Sequence, residues 1–177
     1  MTLSGFGLAR DDPNRWRIAA GGLALAAVLV GAAILLGGAA ARVVNPIGAV
    51  LWVGSGVLLA LSLPPAQRPP LGWLAAIASG VLLGAVVRPG NLVEALIGFA
   101  IAGAVVTLAA GDRVGGWALL APAIYLPVHL VIGVGRAIVR GGGVRTEPPP
   151  TAFIVPLVMI LAAGVAGWAV ASMVRRS

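Results

Sequence analysis

Glu94 and His129 are titratable residues that stand within apolar stretches of this 177-residue chain, and any chemistry would have to start from them. A carboxylate and an imidazole brought together in an apolar setting can hold a cation or pass a proton. His129 belongs to a polar series, Tyr125, His129, Gly133 and Arg136, at spacings of four, four and three. On a helix this spacing puts all four on one face, and such a stripe points at other helices or at a water-filled cavity rather than at lipid. Pro122 and Pro127 lie in the same stretch. Each lacks an N–H, so each frees the carbonyl four residues earlier, at Ala118 and Ala123, and is expected to kink the helix. Glu94, Tyr125, His129 and Arg136 are therefore the candidate ligand or ion residues, with Pro122 and Pro127 as kink positions.

Glu94 also has a plainer use. It follows Asn91 by three residues, the spacing of a capping box, where a carboxylate suits the positive end of a helix dipole. If the helix that Glu94 opens runs antiparallel to the one that Arg136 closes, both residues lie at one end of the bundle, with His129 about 10 Å deeper at 1.5 Å per residue. The expectation is a pair between Glu94 and Arg136 or His129, acting as a clamp between two helices in preference to a proton relay.

The rest of the inventory is narrow. There is no Cys, which removes disulfides, thiolate metal sites and cysteine nucleophiles. A single His among five carboxylates is too few for a haem, di-iron or zinc site. No Gly-rich phosphate loop and no aspartate cluster for Mg²⁺ is present. The chain is expected to be no enzyme and to carry no cofactor or metal. The loop Gly111-Asp112-Arg113-Val114-Gly115 partly resembles the short loop signature of major facilitator transporters. It lacks that signature's flanking glycine and following basic run, the chain is about half the necessary size, and the segment is read as a polar turn.

Composition sets the elements that must position these groups. The chain is 60% hydrophobic and 10% charged, with a mean hydropathy of +1.06. A water-soluble domain needs roughly a quarter of its residues charged, so this surface is read as facing lipid. The expected architecture is an all-α polytopic transmembrane bundle, a single domain over 1–177, with six spans at about 13–41, 46–63, 71–87, 92–110, 116–135 and 152–174. A polar lead covers 1–12 and a Gly/Pro-rich loop 141–150. Asp12-Pro13 and Asn45-Pro46 read as helix starts, Asn91 as a cap and Gly111 as a stop. The run Ile18 to Ala41 exceeds the apolar core of a signal peptide, about 7–15 residues, and reads as an uncleaved anchor.

Six spans put both termini on one side. That side holds Arg10, Arg15, Arg17, Arg68, Arg113, Arg175 and Arg176, against Arg42, Arg88, Arg136, Arg140 and Arg145 on the other. The positive-inside rule then places the termini in the cytoplasm, in an inner cell membrane. Trp16, Trp73, Trp117 and Trp168 fall at the terminus-side interface, where indole rings settle. Although the net charge is +7, the arginines are scattered at helix ends without an aromatic platform. They suit anionic headgroups and give no nucleic-acid surface.

Membrane lipids are the expected partners. Lipid gives helices no hydrophobic reason to associate, so small residues must let backbones close up. Gly72, Ala76, Gly80 and Gly84 form a four-residue repeat on the third span, with Gly48, Gly56 and Ala60 on the second and Ala163, Gly167 and Ala171 on the sixth. These rows serve packing within the chain or, alternatively, a homo-oligomer or a larger membrane complex. In size and span count the chain resembles the substrate-binding subunits of energy-coupling-factor transporters, with no shared motif. The functional expectation is a non-enzymatic transport-type or small-ligand-binding bundle with a cavity near the fifth span. Its alternative is a structural or assembly subunit without a ligand site.

Overall fold

The computed structural model describes residues 15–87, 91–140 and 153–176. They form six α-helices: α1 Arg15–Leu36, α2 Gly38–Leu61, α3 Pro69–Val86, α4 Leu92–Ala110, α5 Leu120–Arg140 and α6 Val155–Val174. A 3-10 turn, Gly116–Leu119, leads into α5. The fold is all-helical, as expected, and no strand occurs among the described residues. Five helices, α1 to α4 and α6, are long and apolar enough to cross a membrane, while the apolar part of the fifth, Gly116–Ile132, is shorter.

Most boundaries follow local chemistry. Asn91 Oδ1 accepts the Glu94 N–H at 3.1 Å and opens α4, and Gly111, left-handed at φ 64°, closes it. Pro69 and Pro70 begin α3, where a missing N–H costs nothing. The start expected at Asp12-Pro13 and the 141–150 loop lie outside the described residues.

The first two spans need correction. Asn45-Pro46 does not open the second helix; Pro46 lies inside α2, and the chain reverses earlier, at Gly37-Gly38. Both glycines have positive φ, 61° and 52°, a region that costs a side chain energy and costs glycine none. The reversal makes a tight antiparallel hairpin: a methyl group built on Gly22 would strike Ser55 Oγ, and one on Gly48 would touch Val30.

Neighbour relations run α1, α2, α5, α3, α4, α6 and back to α1. The 3-10 turn touches α1, α3, α4 and α6, and every residue from Gly115 to Ala123 is buried. The 3-10 turn and the first turn of α5 are thus the axle of the bundle. The start of α1 and the end of α6 meet at one end, since Gly116 lies against Trp16 and Gly115 against the Trp168 backbone. Trp73 and Trp117 join them there, edge to face at 5.7 Å between ring centroids. The four tryptophans expected at one interface do gather at one end.

The distribution of side-chain size is inverted relative to a water-soluble core. Alanines dominate the inside, among them Ala19, Ala26, Ala76, Ala102, Ala121 and Ala163, while Leu61, Val50, Leu74, Val86, Ile101 and Val165 point outward. Small residues let helices approach, and large apolar ones suit lipid. An outer surface this apolar is compatible with an integral membrane protein and not with water.

The Gly72, Ala76, Gly80, Gly84 row is buried. Methyl groups added at its glycines would meet Trp117 and Ala110, Ile124, and Val128 respectively. Within the chain, this row seats α3 against α5 and the end of α4, so an association through its outer face would have to use other residues.

Candidate functional site

The fifth helix carries the polar stripe, and its construction explains which groups meet. Pro122 does not kink it: α5 begins at Leu120, so Pro122 falls in the first turn, where no intrahelical N–H is needed. Pro127 is the interior proline. It leaves the Ala123 carbonyl without its usual donor, and Trp52 Nε1 on α2 supplies one, at 3.3 Å in a buried setting. Trp52 is fully buried and lies midway along α2, away from the helix-end level at which the other four tryptophans gather. Its role is to repair the hydrogen-bond ladder that Pro127 breaks.

This repair predicts a coupled pair of substitutions. Trp52→Phe keeps most of the ring but leaves a buried carbonyl unsatisfied, at a cost of about 1–3 kcal/mol. Pro127→Ala restores a backbone N–H to Ala123. The loss caused by Trp52→Phe, read as the shift in thermal-unfolding midpoint in detergent, is expected to be smaller in a Pro127→Ala background. Equal losses in the two backgrounds would show that the indole hydrogen bond is immaterial.

Tyr125 and His129 are brought together as the spacing indicates, stacked with centroids 5.4 Å apart and planes at 15°. Tyr125 is buried, with Phe99 of α4 edge-on to it at 5.2 Å. The Tyr125 cluster also contains Val87, Ala95, Val155 and Met159. His129 is half-buried, and its Nδ1 lies 3.3 Å from the Gly84 carbonyl of α3. A carbonyl only accepts, so Nδ1 carries the hydrogen in this contact. Gly84 belongs to the last turn of α3, whose carbonyls run out of intrahelical donors. The imidazole is thus a cap on the end of a neighbouring helix.

Glu94 lies in the first turn of α4, half-buried, and its N–H is held by Asn91. The Asn half of the capping box is formed. Glu94 precedes Ala95 and Phe99, both members of the Tyr125 cluster, so it shares an end of the bundle with Tyr125. The Arg136 side chain lies outside the described residues, and the Glu94–Arg136 pair with it.

Asp112, read from the sequence as part of a polar turn, is fully buried. Its Oδ1 accepts the Val114 N–H at 2.8 Å. Its Oδ2 accepts those of Gly115 at 2.9 Å and Trp117 at 3.0 Å. The carboxylate caps the 3-10 turn and so fixes where the axle helix begins. Around it, Trp117 Nε1 donates to the Pro64 carbonyl at 2.9 Å, and the Arg68 N–H to the Ala110 carbonyl at 2.8 Å. The Gly-Asp-x-x-Gly spacing is the one sequence signal for this role, being that of an Asx turn.

Among the described residues, neither of two apolar cavities reaches Tyr125 or His129. One, about 300 Å³, is lined by Leu119, Ile160, Leu161, Gly164, Val165 and Trp168. The other, about 310 Å³, lies at the α1–α2 tip between Ala33, Ile34, Gly37, Ala41 and Asn45. Among the described residues no group of three His, Asp or Glu side chains is placed to hold a metal ion. Comparisons with protein family models, with curated proteins and with solved structures each return no match. The likeness to energy-coupling-factor subunits therefore stays one of size and helix number.

Proposed function

We propose that this chain is a non-catalytic, multi-pass membrane bundle that works by association, as a structural or assembly subunit in contact with lipid. The observation that carries the reading is the solid axle: Gly115 to Ala123 are buried throughout, and Tyr125 and His129 beyond them are engaged in packing and capping. His129 caps α3, and Tyr125 fills the space between His129 and Phe99. A recognition site for a polar solute needs a concave pocket with a few unspent donors and acceptors. The arginine-bearing end with Arg15, Arg17, Arg68, Arg113, Arg175 and Arg176 faces the cytoplasm on this reading, in an inner cell membrane.

A transport-type or small-ligand-binding function is the second reading. It is favoured by the stacked Tyr125–His129 pair within a span, since ionisable groups there commonly mark a path for protons or ions. One experiment separates the two. The full chain is reconstituted into liposomes, and internal pH is followed after a proton gradient is imposed. The subunit reading expects proton entry equal to that of empty liposomes, for both the wild type and His129→Phe. It also expects His129→Phe, which keeps the stacking and loses the bond to Gly84, to lower stability by about 1 kcal/mol. Proton entry that His129→Phe abolishes would overturn the subunit reading in favour of transport.

A further inference from the structure

We infer that the outer face of α6 is a site for one anionic phospholipid, its acyl chain in the groove at Gly164 and its phosphate at Arg175 and Arg176. The inference rests on the membrane placement of the bundle and is independent of whether the bundle transports anything. Three features align along one helix face. The first is the groove itself, about 300 Å³, lined wholly by apolar residues: Leu119 with Ile160, Leu161, Gly164, Val165 and Trp168. Gly164 makes the notch; a methyl group built there would reach only Leu119 Cδ2, at an ordinary 3.6 Å.

The second is Trp168, 62% exposed at the end where the other interfacial tryptophans gather. An indole there marks the level of the lipid headgroups. Leu161, Gly164, Val165 and Trp168 recur at three- and four-residue intervals, so they form one stripe. The third is charge. Arg175 continues that stripe, two turns or about 10 Å beyond Trp168, and Arg176 flanks it. Both are exposed. The Arg175 Nε donates to the Ala171 carbonyl at 3.4 Å, which steadies the side chain and leaves the terminal amino groups of its fork to meet a phosphate. Apolar groove, interfacial indole and paired guanidinium follow one another in the order of acyl chain, glycerol and phosphate. A zwitterionic lipid carries a compensating cation at the headgroup and fits this order less well.

The test is native mass spectrometry of the full chain, purified in detergent and titrated with phosphatidylglycerol or phosphatidylcholine of identical acyl chains. Phosphatidylglycerol is expected to bind as a single adduct, preferred over phosphatidylcholine by about fivefold per arginine. Arg175→Gln with Arg176→Gln is expected to abolish the preference. Gly164→Phe, which fills the groove, is expected to reduce the adduct of both lipids, and Gly164→Ala to leave binding and melting unchanged. Equal binding of the two lipids by the wild type, or an undiminished preference in the double arginine variant, overturns the proposal. So does a dimer lost on Gly164→Phe with no lipid adduct, which would assign the groove to a second copy. A chain that stays soluble without detergent would overturn the membrane placement instead, by a separate readout.

Discussion

Asp112→Ala is expected to lower the stability of the bundle by about 3 kcal/mol or more, the largest loss foreseen for a single side chain. The carboxylate takes three backbone N–H groups, from Val114, Gly115 and Trp117, in a fully buried position. Alanine would strand the buried N–H groups of Gly115 and Trp117 and leave that of Val114 to solvent, and each unsatisfied buried donor costs about 1–3 kcal/mol. The consequences reach past the loop. Gly115 lies against the Trp168 backbone and Gly116 against Pro64 and Trp16, while Trp117 is tied to Pro64 and packs on Trp73. A loop that loses its shape therefore loosens α1, α3 and α6 together. Asp112→Asn keeps one acceptor oxygen and is expected to lose about half as much. The measurement is thermal unfolding in detergent followed by tryptophan fluorescence. At roughly 2–4 °C per kcal/mol for a chain of this size, Asp112→Ala should melt about 6–12 °C below the wild type. A midpoint within 2 °C or so would mean that the turn is held by its glycines and by Trp117 without the carboxylate.

This importance of Asp112 could not be weighed from the sequence, and the reason is physical. The spacing Gly111, Asp112, Gly115 signals a turn, but nothing local says that the turn will be buried. Burial comes from the Pro64 loop and Trp16, which are distant in the chain. Trp52 is the same case. That Pro127 frees the Ala123 carbonyl follows from proline's missing N–H, whereas the donor that answers it lies 71 residues away. Elements settled by local rules were legible: α4 runs from Leu92 to Ala110 as its Asn91 cap and Gly111 stop require. So was the stripe on α5, since helical periodicity alone brings Tyr125 to His129.

The misplaced α1–α2 turn shows two local rules in competition. Asn45-Pro46 has the composition of a helix start, and Gly37-Gly38 that of a left-handed reversal. Proline is tolerated inside a membrane helix when neighbouring structure accommodates it, so it does not force a break. Two adjacent glycines at positive φ do force one. The earlier reversal also matches the lengths of α1 and α2, at 22 and 24 residues, so that both run the depth of the bundle. The small-residue rows were visible as spacing, but their partners were not: the third-span row seats α5, and the sixth-span Gly167 seats the 3-10 turn through Ala118.

Gly103→Ala is the second substitution with a large expected effect, and its sign is opposite to that of the same change at Gly54. A methyl group at Gly103 of α4 would fall on the Ala163 backbone of α6, against its carbonyl oxygen first, then its Cα and carbonyl carbon. Backbone cannot rotate away, so the two helices must separate, and overpacking of this kind costs about 1–3 kcal/mol or more. Separation is also transmitted, because Gly167 lies one turn along α6 from Ala163, where Ala118 and Thr107 close in on it. At Gly54 on α2, by contrast, nothing lies within 4 Å of the added methyl. There alanine removes only glycine's conformational freedom and should be neutral or stabilising by up to about 1 kcal/mol. Ala163→Gly distinguishes this account from simple crowding of side chains. It removes the Ala163 methyl but leaves the carbonyl and Cα that the new group strikes, so it is expected not to restore Gly103→Ala. Recovery of the wild-type melting point in the double variant would show that the helices are held apart by side chains, and that the α4–α6 contact is looser than a backbone-to-backbone seam.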